Sequence, residues 1–110
     1  MKLKIESRNI VMTPRWKKEI EARMADLGRG HEDLTLGRVT LTKNPHHKKS
    51  SNVAEALIVV SLSRRRTFTA RKENKTFVEA IRKAFEAVSR ELRTFREKRA
   101  TRRLRTAISH

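Results

Sequence analysis

The chain has 110 residues, 28 of them Lys or Arg against 12 Asp or Glu, so its formal charge is +16, and only 36 % are apolar, against a usual ~45–50 %. One domain with a small core suits that length; the lack of Cys excludes disulfide frameworks, Cys-ligated zinc and thiol chemistry, and no apolar run approaches the ~18 residues of a membrane span. So basic a surface repels itself unless a polyanion screens it, and nucleic acid is the commonest such partner.

Lys2–Ser7 alternates, with Leu3 and Ile5 on one face and Lys2, Lys4 and Glu6 on the other, which predicts a strand. Glu6 falls where a signal peptide would need its apolar stretch, and a cytoplasmic location is expected. Thr13-Pro14 reads as a helix start, because Thr caps well and Pro at the first position gives up an N–H that has no partner there. Trp16, Ile20, Met24 and Leu27 form the apolar stripe of a helix ending near Leu27, with Gly28 and Gly30 as the stop and Glu19→Arg23 as a flanking ion pair. A second strand is predicted over about Leu36–Lys43, followed by a polar loop from Asn44 to Asn52.

Val53–Ser63 carries apolar atoms on both faces, which suits a central strand. Arg64-Arg65-Arg66 occupies the next turn, and Thr67–Lys72 is the fourth strand. Thr76 and Glu79 have the spacing of a capping box. Behind them Phe77, Ile81, Phe85, Val88, Leu92 and Phe95 make an unbroken helical stripe. After Lys98 the stripe stops, so residues 1–98 are expected to fold and 99–110 to form a flexible basic tail. The order predicts an α+β domain, β-α-β-β-β-α. Its first two strands are parallel across a crossover, the last three form a meander, and both helices cover one face of a four-stranded mixed sheet.

No catalytic constellation stands out. His46-His47 lies beside Lys48-Lys49, which would repel a metal ion, and His31-Glu32-Asp33 reads as a solvated helix exit. No metal, cofactor or small-molecule substrate is expected. Phe77, Phe85, Phe95 and Phe68 are expected in the core; Trp16, in the first turn of its helix, could lie half exposed against a base or ribose. Without exposed aromatics on the sheet, recognition of RNA backbone and shape is favoured over base stacking. Residues 1–63 hold 12 basic and 7 acidic groups and residues 64–110 hold 16 and 5, so the surplus charge lies in the second half. On the last helix, Glu79→Lys83 and Glu86→Arg90 are spaced to neutralise one another. The unneutralised cations are expected in the 64–66 turn, at Arg71, Lys72 and Lys75, and in the 96–105 run.

The element order, the Ile10-Val11-Met12-Thr13-Pro14 lead into the first helix, and the Ala80-Ile81 … Arg90-Glu91-Leu92-Arg93 … Arg96-Glu97-Lys98 run together resemble the ribosome hibernation-promoting factor / ribosome-associated inhibitor A family, once called sigma-54 modulation protein. The resemblance covers about residues 1–98. It implies a fold like that of double-stranded-RNA-binding domains. It also implies binding to small-subunit ribosomal RNA in the decoding channel, and a block to messenger and transfer RNA in stressed or stationary cells. The matching basic positions are Lys17, Arg23 and Arg29 on the first helix and Arg90, Arg93, Arg96 and Lys98 on the second. Arg82, Lys83 and the Arg64, Arg65 and Arg66 turn add charge nearby. Asp26 and Ala87 stand where relatives often have Lys or Arg, and the Arg turn replaces a more usual Pro/Asn/Gly turn. The length reads as a short form without the dimerising domain of longer relatives, expected to be a monomer off the ribosome. Two other functions stay open: a general double-stranded-RNA or ribosome-assembly protein, and, as the older family name implies, a sigma-54 transcription modulator acting by protein contact.

Overall fold

In the computed structural model, backbone is described for residues 1–44, 53–63 and 66–108, and side chains through Lys98. The His46-His47 pair and its loop, Arg64 and Arg65, and the side chains of Arg99, Arg102, Arg103 and Arg105 lie outside the described residues. The elements are β1 (Lys2–Arg8), α1 (Pro14–Gly30), β2 (Leu34–Lys43), β3 (Ala54–Leu62), β4 (Thr67–Asn74) and α2 (Phe77–Ile108), in the expected β-α-β-β-β-α order.

The sheet runs β1-β2-β3-β4. β1 is parallel to β2, and the β2–β3 and β3–β4 pairs are antiparallel. Alternation along β3 explains the layers: Ala54, Ala56, Ile58, Val60 and Leu62 are buried, while the residues between them are half-exposed. Val39 and Leu41 of β2 sit opposite Ile58 and Ala56, so one sheet face is continuous and apolar. Both helices cover it, α2 lying on β3 and β4 and α1 on β2 and α2. Met24 of α1 rests over Gly37 of β2 so closely that a Cβ there would stand 2.8 Å from the Met24 Cε. The glycine lets helix and strand approach.

Both threonine N-caps form as the sequence predicts, while the Glu79 side of the capping box goes to Arg82. The Thr13 hydroxyl accepts from Trp16 N–H at 3.2 Å and Pro14 opens α1; the Thr76 hydroxyl accepts from Glu79 N–H at 3.3 Å. The exit of α1 differs from expectation. The helix runs through Gly28 to Gly30, and neither glycine is left-handed. His31 N–H closes the last turn on Gly28 C=O at 3.3 Å, so no glycine cap is required. Ile81, Ala84, Phe85, Val88 and Leu92 of α2 are buried as the stripe requires. Burying each of the larger ones is worth about 1.5–3 kcal/mol, so this core, rather than surface ion pairs, holds α2 to the sheet. The α2 backbone continues past Lys98 to Ile108.

Trp16 is half-buried, its ring centroid 4.7 Å from that of Phe77 where the two helix starts meet. It serves the core.

Candidate nucleic-acid interface

The outer face of α2 divides by its ion pairs. Arg82 donates from Nη2 to Glu79 Oε2 and from Nη1 to Glu86 Oε1, each at 2.7 Å. The pairs expected from spacing, Glu79 with Lys83 and Glu86 with Arg90, are replaced by this one fork. The planar guanidinium, a turn from each carboxylate, holds both at once, which an ammonium does not match. That hydrogen bond holds the Glu79 carboxyl below its ordinary value and raises the Arg82 pKa. The consequence lies elsewhere on the helix. Lys83, Arg90, Arg93 and Lys98 are exposed and make no ion pair among the described residues.

Arg90 and Arg93 face α1. With Arg23, Ser89, Glu86 and the edge of Phe85 they line a groove of about 340 Å³ between the helices. Arg23 is held by Glu19 at 2.6 Å, as its spacing predicts. Three guanidinium groups from two helices thus border one polar trough. Such forks match phosphate oxygens in geometry and charge.

Other predicted positions have other employment. Arg96 is half-buried: it pairs with the Asp33 carboxylate, and its Nε donates to His31 Nδ1 at 3.3 Å. This joins the corner between α1 and β2 to the middle of α2. The Arg96 hydrogen bond lowers the Asp33 pKa. His31 is also lowered, first by burial and then by the Arg96 charge. His31 and Asp33, read as a solvated exit, are therefore the anchor for Arg96. Arg29 pairs with Asp26 one turn away. Lys17 is exposed on the first turns of α1.

Arg66 immediately precedes β4, its guanidinium carbon 4.9 Å from the centre of the Phe95 ring. Phe68 meets the same ring edge-on, centroids 5.4 Å apart. Both phenylalanines pack against the core as expected but are half-buried, at its rim. Together they floor a groove of about 380 Å³ between α2 and β4, flanked by Arg66, Arg90 and Lys98. Sequence reasoning missed this aromatic floor. The available signal was position: Phe95 is the last apolar residue of the α2 stripe, and Phe68 is two residues past the Arg turn. Arg90 borders both grooves. Arg23, Arg93, Arg90, Lys98 and Arg66 therefore follow one another across α2, with the carboxylates Glu86 and Glu91 between them.

The opposite sheet face is also charged: Lys2, Arg8 and Arg38 are exposed on it, and two further cations are paired. Lys4 pairs with Glu6 at 3.3 Å and Arg71 with Glu55 at 3.7 Å. No described helix is long and apolar enough to cross a membrane.

Comparison with known proteins agrees with the fold. The fold is similar to the N-terminal domain of protein Y from Thermus thermophilus, with a TM-score of 0.71 at 22 % identity over 86 % of this chain and 99 % of that one. It is also similar to a ribosomal subunit interface protein from Coxiella burnetii, with a TM-score of 0.74 at 9 % identity over 88 % and 99 %. No curated protein sequence matches the chain. The sequence profile described as sigma 54 modulation protein / S30EA ribosomal protein matches residues 3–100. Over nearly its whole length, then, the chain belongs to that ribosome-associated family.

Proposed function

We propose that this chain is a non-enzymatic inhibitor of translation that seats the outer face of α2 on small-subunit ribosomal RNA. It does so in the decoding channel, excluding messenger and transfer RNA in stressed or stationary cells. The observation that carries the reading is the convergence of Arg23, Arg90 and Arg93 on one groove, with Arg90 and Arg93 free of carboxylate partners among the described residues. Family membership supports the ribosome as the setting, and one structural neighbour is named for the subunit interface.

The mechanism is steric and electrostatic. Each guanidinium that meets a phosphate releases condensed counterions, so affinity falls steeply with salt, by ~0.7–0.9 units of log-log slope per contact. A rigid two-layer body held this way occupies volume that another RNA needs. No proton transfer or bond cleavage is required, so positioned cations suffice.

The test is competition on purified small subunits. The protein and a messenger fragment paired with transfer RNA are expected to displace one another, and added protein is expected to stop translation in a cell-free system. Simultaneous binding of all three would overturn the decoding-channel reading. Equal affinity for a plain RNA duplex and for the small subunit would favour a general double-stranded-RNA module instead.

A further inference from the structure

We propose that the groove between α2 and β4 is a pocket for a single unpaired RNA base, with the flanking phosphates held at its rim. The proposal rests on the reading of α2 as an RNA surface and adds to it a site of different chemistry. The groove between the helices is polar; its carboxylate, Glu86, is held by Arg82, and Arg23, Arg90 and Arg93 suit it to phosphate. This one has an apolar floor made by Phe68 and Phe95, half-buried and set edge to face. Arg66 lies over the Phe95 ring and forms one wall. At about 380 Å³ the groove falls within the ~300–1,000 Å³ of small-molecule-sized sites.

Charge decides how an occupant sits. Arg66, Arg90 and Lys98 are the cations around the groove, and they suit phosphates on either side of a nucleotide. The Glu91 carboxylate also lines it, beside the Thr94 hydroxyl. A carboxylate repels a phosphate placed inside, but accepts a hydrogen bond from the amino edge of a base. The interior therefore favours a neutral, flat, hydrogen-bonding group, and the rim an anion. A nucleotide extruded from its stack carries both. Aromatic faces and arginine planes are the surfaces on which unstacked bases rest. Arg90 borders both grooves, so an RNA strand following the phosphate trough meets a shared cation at the entrance to the pocket.

The test compares hexaadenylate with a ribose-phosphate hexamer of equal charge that lacks bases. Both are titrated at low salt against the full chain and against Phe95→Leu, Arg66→Gln and Arg93→Ala. The unaltered chain is expected to bind hexaadenylate about fivefold or more tightly than the abasic strand, the lower end of what one stacked base contributes. Phe95→Leu, which keeps apolar volume but removes the ring, is expected to bring that ratio to about twofold or less. Arg66→Gln, at an exposed position, is expected to lower the ratio too, and it decides the matter should Phe95→Leu melt. Arg93→Ala is expected to weaken both strands alike and keep the ratio. A ratio near one in the unaltered chain would overturn the proposal. So would an unchanged ratio in both folded variants. Sedimentation of the same proteins with small subunits separates the two readings. Co-sedimentation with a ratio near one sinks the base pocket alone. A base-dependent ratio that collapses in Phe95→Leu, without co-sedimentation, sinks the ribosome reading and leaves the pocket.

Discussion

Between Glu79 and Glu86, α2 cancels its own charge: one guanidinium holds two carboxylates and itself offers little to an outside anion. Between Arg90 and Lys98 the same helix presents Arg90, Arg93 and Lys98 without ion-pair partners among the described residues, while Arg96 turns inward to Asp33. Both stretches are rich in charge, yet they present opposite surfaces to RNA. Formal charge therefore locates a binding face poorly. What matters is which cations remain after the geometry has assigned each carboxylate. Arg82, by taking both glutamates, leaves Lys83 and Arg90 exposed.

The sharpest way to break this comparison is to remove the unpaired pair. Replacing Arg90 and Arg93 together by Ala is expected to lower affinity for small-subunit RNA about 10- to 100-fold, given ~1.5–3 kcal/mol per charge-assisted contact before solvent screening. The melting temperature is expected to stay put, since exposed substitutions away from structural features change stability by less than ~0.5 kcal/mol. Arg82→Ala, placed in the neutralised stretch, releases Glu79 and Glu86 toward Lys83 and Arg90 and is expected to lower affinity less than the double variant, by about two- to fivefold. Filter binding and thermal melting read both variants.

Next in size is Arg96→Ala. It leaves Asp33 and His31 without their partner on α2 and is expected to cost about 1 kcal/mol, the charge-assisted bonds being discounted for partial exposure. That is roughly 4 °C in Tm for a domain of this size. An unchanged Tm with a large loss of RNA affinity would instead return Arg96 to the binding surface.

A smaller effect should run in the gaining direction. Glu79→Gln with Glu86→Gln frees Arg82 and is expected to raise RNA affinity about two- to fivefold, steepening the salt slope by ~0.7–0.9. No change in slope would mean that the α2 face before Arg90 lies off the RNA.

The smallest effect is the acid response of the Arg96 anchor. His31 Nδ1 accepts from Arg96, so protonation removes an acceptor and sets two cations together. Because its folded pKa is depressed below 6.5, the unfolded chain binds the proton more readily. This contribution is full above 6.5 and is lost as pH falls through the folded value. Asp33 follows the same sign below its ordinary 3.8. Melting curves of the chain and of His31→Asn between neutral and mildly acid pH are expected to converge as pH falls. Parallel curves would remove His31 from the anchor.

Much of the fold is legible in the sequence because its signals are local. The Thr13-Pro14 start, the Thr76 cap, the period of β3 and the stripe from Phe77 to Leu92 each depend on residues within a turn or two. The candidate interface is only partly legible. Arg23, Arg90 and Arg93 could be picked out as charges, but their meeting across two helices depends on how α1 crosses α2. Arg96 and Asp33 are 63 residues apart, beyond any spacing rule. Arg82 illustrates a different limit: spacing offered two partners to Glu79 and three to Glu86, and only the reach of a forked side chain chose between them. Phe68 and Phe95 have the residue type of a core and the position of a rim, and only the sheet edge reveals which governs.

The measurement that bears most directly on the central claim is the salt dependence of binding to purified small subunits, for the unaltered chain and for the Arg90→Ala, Arg93→Ala double variant. Removal of two phosphate contacts is expected to flatten the log-log slope by about 1.4–1.8 with no loss of fold. An unchanged slope would mean that the unpaired arginines of α2 do not touch phosphate, and that the binding face lies elsewhere on the molecule.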